Sequence, residues 1–221
     1  MGHYGLLVGY DEAREVFWVF DSYEGPESAF TIPYAKVLDY WPHFNNTYIV
    51  IYPPERETDL FALLGADADE TENYRRAASR ASDAIFAAET PREQFFAWFN
   101  RGTNLVYLDD YAGAAQAYDQ AFAIYPQIPE AQRPWRVMWY QTGPYWAYFY
   151  TGRYYDVISL ADSTLQAMSE PVLEESFYWR GLAKEALGDV DGALADLREA
   201  LRLNENFAAA RYHLNRLSST P

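Results

Sequence analysis

The chain has 221 residues, 32 acidic against 17 basic side chains (formal net charge −15) and no cysteine. This excludes disulfides, thiolate metal sites and a thiol nucleophile within the chain, and the negative field repels nucleic acid and anionic membranes while favouring basic partners. No apolar run reaches the ~18 residues of a membrane-spanning helix, and the 50% hydrophobic content supplies a sizeable core. The first predicted strand is Tyr4–Val8, closed by a turn over Gly9–Glu12. It follows Met1 so closely that Met1 is expected to be an internal boundary of a longer chain. A second strand, Glu15–Phe20, ends at Asp21-Ser22 and the turn residues Gly25-Pro26. A short helix over Tyr34–Trp41 follows, and then a third strand, Tyr48–Tyr52, stopped by Pro53-Pro54. Leu6, Val8, Phe17, Val19, Tyr48 and Val50 cannot all face water, so the strands are expected to be covered by the helices that follow or by a second copy.

Helical periodicity begins at Thr58. Thr58–Leu64 and Thr71–Ala88 read as a leading, degenerate pair. Thr90-Pro91-Arg92-Glu93 is a helix start, with a cap, a first-turn proline and a glutamate able to close a capping box. Three helix pairs follow, turning at Asp109-Asp110-Tyr111, Gly152-Arg153-Tyr154 and Gly188-Asp189-Val190. Their second helices carry Ala114, Tyr118 and Ala121, then Val157, Ala161 and Thr164, then Ala193, Leu197 and Ala200. An inserted loop, Pro126–Pro134, lengthens the first interval, and Phe207–Leu217 has the polar outer positions of a capping helix. Small residues flanking a large one let paired helices approach closely. This pattern, with Trp98 and Gly102 in the first pair and Gly181 in the third, resembles the tetratricopeptide repeat over residues 58–217. The second pair departs from it: Tyr145 replaces the small residue, and Pro144 predicts a kink or a helix start.

The order of elements over residues 2–52, with His3 opening one strand and Asp21 closing the next, is similar to the C-terminal half of papain-like cysteine peptidases. The nearest resemblance is to the group that processes bacteriocin leaders. The resemblance implies His3 as the base and Asp21 as the residue that orients it. The family's cysteine and oxyanion glutamine belong to a half with no counterpart in this sequence. His43 and His213 read as structural, and no metal-ligand spacing is present.

The fold class is therefore α+β: a small, mostly antiparallel β segment over 1–54, half of a papain-like domain, then an all-α repeat array over 55–221. By helical spacing the first helices present Phe99, Asn100, Thr103 and Tyr107, then Trp139, Trp146 and Tyr150, then Tyr178, Trp179 and Glu185 along one face. Such an aromatic trough suits an extended or helical peptide. Asn100 fits one place of the repeat family's carboxylate clamp, but no lysine accompanies it. The expected function is a non-catalytic scaffold for proteins or peptides, basic ones favoured, with no cofactor. The alternatives are the C-terminal piece of a cysteine peptidase whose nucleophile lies upstream, and an oligomerisation unit that dimerises through the open face of the half-domain. Nothing in the sequence assigns a compartment.

Overall fold

A computed structural model describes residues 5–21 and 29–219. The chain divides into two units, Met1–Glu57 and Thr58–Pro221. In the first unit, strands β1 (Gly5–Asp11), β2 (Val16–Asp21) and β3 (Phe30–Pro33) form an antiparallel sheet in the order β1-β2-β3. The β1–β2 reversal works because Glu15 takes a left-handed conformation (φ 52) and its amide returns to the Glu12 carbonyl. The ladder register shifts between Leu7 and Gly9, a bulge that re-aims β1. Val16 and Val19 are buried, whereas Leu6 (51% exposed), Val8 (50%), Tyr48 and Val50 remain exposed. Helix α1 (Tyr34–Tyr40) starts against the sheet, with the Tyr34 ring 4.5 Å from Phe17 and its hydroxyl donating to Glu12.

The third strand differs from the sequence expectation. It is Phe30–Pro33, while residues 47–53 have no regular structure and no ladder partner among the described residues. The physical reason is that a strand is made by its neighbour. Tyr48–Tyr52 has the right composition but follows a left-handed pair, Asn45 (φ 55) and Asn46 (φ 51), and meets no sheet edge. Ile49 (70%) and Ile51 (82%) are left exposed.

The second unit is helical throughout: α2 (Glu57–Leu64, reaching back one residue), α3 (Glu70–Ala87), α4 (Pro91–Tyr107), α5 (Tyr111–Ile124), α6 (Gly143–Tyr150), α7 (Tyr154–Gln166), α8 (Glu174–Ala186), α9 (Val190–Leu203) and α10 (Ala208–Ser218). Thr90 and Glu93 form the expected capping box at the start of α4. From α3 onward each helix packs on the next, and α4–α6 and α6–α8 also touch, so first helices of successive pairs share a layer. Short α2 leaves Phe61 and Leu63 exposed, so α3 enters the array without a full partner.

Ala114, Tyr118, Ala121, Val157, Ala161, Ala193, Leu197 and Ala200 are all completely buried. Each large member of this set stabilises the array by about 1.5–3 kcal/mol through burial. The three intra-pair turns repeat one device. Asp109 (φ 58), Gly152 (φ 75) and Gly188 (φ 85) are left-handed, and the next amide (Asp110, Arg153, Asp189) donates back to Leu105, Tyr148 or Lys184. This is the Schellman closure that satisfies the last carbonyls of a helix. Pro144 sits in the first turn of α6 and shortens it to eight residues. The inserted segment before it is tied down: Arg133 donates to the Ile128 and Pro126 carbonyls, and Ile128 is buried.

Candidate functional site

Helical spacing puts Trp146 and Tyr150 one turn apart on α6, and Tyr107 closes α4. These are the exposed rings of the face: Tyr107 60%, Tyr150 55% and Trp146 39%. Each is held by another ring. Tyr107 stacks on Tyr74 of α3 (4.4 Å, 5° between planes). Tyr150 stacks on Tyr111 of α5 (4.6 Å, 29°) and lies 6.0 Å from Trp146, which in turn packs on Trp179 of α8 at 5.0 Å. Tyr178 continues toward α10 through His213 (5.9 Å), which meets Tyr212 at 5.3 Å. Aromatic contacts of this kind contribute about 0.5–1.5 kcal/mol each beyond their burial, so the exposed rings are held in place.

Among the other residues expected on the face, Phe99 and Trp179 are buried and serve as supports, Phe99 against Tyr118 and Phe122. Asn100 is buried as well. Thr103 is half-buried, its hydroxyl within hydrogen-bond distance of the Phe99 carbonyl and the Tyr118 hydroxyl. Tyr178 is half-buried between Trp179 and Phe207. Trp139 corrects the sequence assignment: it lies in a 3₁₀ turn ahead of α6, edge-on to Trp135 and beside Arg136, because Pro144 prevents the helix from extending back to it. Glu185 accepts from Arg216 of α10.

Sequence reasoning missed Tyr74, Tyr111 and Asp109. A signal existed: tyrosines four residues apart flank the first two turns, Tyr107/Tyr111 and Tyr150/Tyr154. Asp109 accepts from the Tyr111 hydroxyl at 2.9 Å. Burial, this bond and the nearby Tyr150 raise the Tyr111 phenol above its usual range. Burial, Tyr107 and Glu70 do the same at Tyr74.

Away from these rings, arginines join successive pairs. Arg153 makes a bidentate pair with Asp119 (2.7 and 2.9 Å), bonds Asp156 and lies 4.3 Å over the Tyr148 ring. Arg180 reaches Asp162 on α7 and the buried Asp196 on α9, which also receives Lys184 at 2.8 Å. Their carboxylate bonds raise both guanidinium pKa values further.

Asp21 ends β2 and pairs with Gly5 of β1, while His3 lies outside the described residues. No cluster of histidine, aspartate and glutamate able to hold a metal occurs among the described residues, and no helix there is long and apolar enough to cross a membrane.

Residues 95–128 and 174–207 each match the tetratricopeptide repeat family. A solved structure described as "MamA RS-1 ArsTM double mutant" shares the fold with a TM-score of 0.55 at 14% identity, covering 72% of this chain and 82% of that chain. No curated protein matches the sequence. The chain thus carries tetratricopeptide repeats within a helical array of that type.

Proposed function

We propose that the chain is a non-catalytic scaffold that holds protein or peptide partners on the aromatic face of its repeat array. The observation that carries this reading is the set of exposed rings, Tyr107, Trp146 and Tyr150, each fixed by a second ring. Tyrosine and tryptophan supply large contact area at low entropic cost and are enriched where partners meet. The repeat matches support it, since such repeats generally mediate protein interactions. The test is to pan a peptide-display library on the full chain and to titrate the enriched peptides against Trp146→Ala and Tyr150→Ala. Binding that falls in both variants supports the reading; unchanged binding removes it.

One observation favours a second reading, in which the first unit is half of a cysteine peptidase. β1 and β2 are antiparallel neighbours, and their register ends at Gly5 opposite Asp21, two positions after His3. His3 would then be the base and Asp21 its orienter, with the thiol supplied by another segment, since this chain has no cysteine. An in-frame coding segment ahead of Met1 with a cysteine at a helix start would support it, and a stop codon there would exclude it. In either case the exposed Leu6, Val8, Ile49 and Ile51 favour a second copy as cover for the first unit.

A further inference from the structure

If the aromatic face binds peptides, the premise on which its partner chemistry rests, then the charges around it narrow the kind of peptide. The helical unit has 23 acidic and 14 basic side chains, so its field draws cations. Its arginines cover other rings: Arg92 lies over Phe96, Arg133 over Tyr125, Arg136 over Trp135 and Trp139, Arg153 over Tyr148 and Arg180 over Phe177. Among the described residues, no arginine or lysine of the chain lies over Tyr74, Tyr107, Tyr111, Trp146 or Tyr150. The chain's own guanidinium groups thus cover rings elsewhere, the half-exposed Trp135 included, and leave these five open.

Carboxylates stand beside the open rings. The Tyr74/Tyr107 and Tyr111/Tyr150 stacks flank a single turn, Leu108–Asp110. Asp110 is engaged as the cap of α5, accepting from the Gly113 amide. Asp109 is exposed and held left-handed, and accepts from Tyr111, while Glu70 lies one helical turn before Tyr74. A carboxylate that accepts one bond retains capacity for a guanidinium. An arginine side chain can stack on a tyrosine face and bond a neighbouring carboxylate at once, which a lysine does less well.

We propose that the Asp109 turn and its two tyrosine stacks form a receptor for arginine side chains of an extended partner segment. The partner is thus an arginine-bearing peptide rather than an acidic carboxyl terminus, consistent with the missing carboxylate clamp.

The test uses the full chain and fluorescent nona-arginine, with nona-citrulline as a probe of the same length and no charge. Long-range attraction is separated by the tyrosine variants, which keep net charge. Tyr107→Leu and Tyr150→Leu are each expected to weaken nona-arginine binding about fivefold, while Tyr155→Leu, which removes an exposed ring elsewhere, leaves it unchanged. Asp109→Asn is expected to weaken binding two- to fivefold, roughly the range of exposed ion pairs, and asparagine tolerates the left-handed turn. Nona-citrulline is expected to bind at least tenfold more weakly. Far-UV circular dichroism confirms that each variant is folded. Equal affinity for the two probes, or undiminished binding by both tyrosine variants, overturns the proposal. Panned peptides that need Trp146 and Tyr150 but contain no arginine would overturn it too, while leaving the scaffold reading intact.

Discussion

Tyr118 offers a test of how the first two repeat pairs are locked. Its ring is fully buried, meets Phe99 edge-on at 5.0 Å and fills space left by two glycines on different helices. A Cβ built on Gly102 of α4 would stand 2.7–2.9 Å from three ring carbons, and one built on Gly143 of α6 would stand 2.1 Å from the hydroxyl oxygen but 3.1 Å from the carbon that bears it. Overpacking costs about 1–3 kcal/mol, and alanine returns up to ~1 kcal/mol of helix propensity. Gly102→Ala and Gly143→Ala are each expected to destabilise by about 1–2 kcal/mol on that balance. Tyr118→Phe alone costs about 1 kcal/mol for the bond to Thr103. The two glycines then separate. Removing the hydroxyl relieves the clash at Gly143, so the double variant Gly143→Ala/Tyr118→Phe should show a favourable coupling of at least ~1 kcal/mol. The clash at Gly102 is with ring carbons that phenylalanine keeps, so Gly102→Ala/Tyr118→Phe should be additive within ~0.5 kcal/mol. Urea denaturation followed by circular dichroism at constant m-value gives the free energies of the wild type and of the five variants. Equal rescue at both positions, or rescue at neither, would refute the placement of the Tyr118 hydroxyl against α6.

Asp196→Ala strands the guanidinium and ammonium that converge on a buried carboxylate, and its expected cost is about 3 kcal/mol by denaturation. Asp162→Ala removes a partner that is 42% exposed from the same arginine, and should cost under ~1 kcal/mol. Burial, and secondarily Arg216, lower the His213 pKa, with Glu185 opposing. The folded state thus binds its proton less readily than the unfolded chain. Its contribution is complete above the unfolded value of 6.5 and falls as pH drops below it. Denaturation midpoints in His213→Gln should therefore lose that slope. The double variant Ile49→Asp/Ile51→Asp should abolish any concentration-dependent mass in light scattering; self-association that persists would place the interface elsewhere.

The repeat array was legible because its determinants are local. Thr90 and Glu93 cap a helix from three residues apart, and Ala114, Tyr118 and Ala121 mark one face of another. Pro144 was legible as a kink or a helix start for the same reason, and the helix start is what forms. The sheet was less so, since pairing is decided far along the chain. Tyr48–Tyr52 has better strand composition than Phe30–Pro33, yet only the latter lies beside β2, with Phe17 opposite Ile32 and Val19 opposite Phe30.

The aromatic face shows why a side can be read from a sequence while its surface cannot. Periodicity assigns Phe99, Trp146 and Trp179 to the same kind of position, but exposure depends on which neighbouring ring arrives. Phe99 is covered by the second helix of its own pair, through Tyr118 and Phe122. Trp179 is covered by the preceding first helix, through Trp146 and Phe149. Trp146 is thus both the lid on Trp179 and part of the proposed binding face, and the two roles are coupled. Binding energy on such a face depends on the buried rings behind it, because an exposed indole held in one rotamer loses less entropy on contact than a free one. The unit of recognition on the proposed face is therefore the stacked pair across two helices, and that pairing is set by the helix layer and the Asp109, Gly152 and Gly188 turns that bring the helices together.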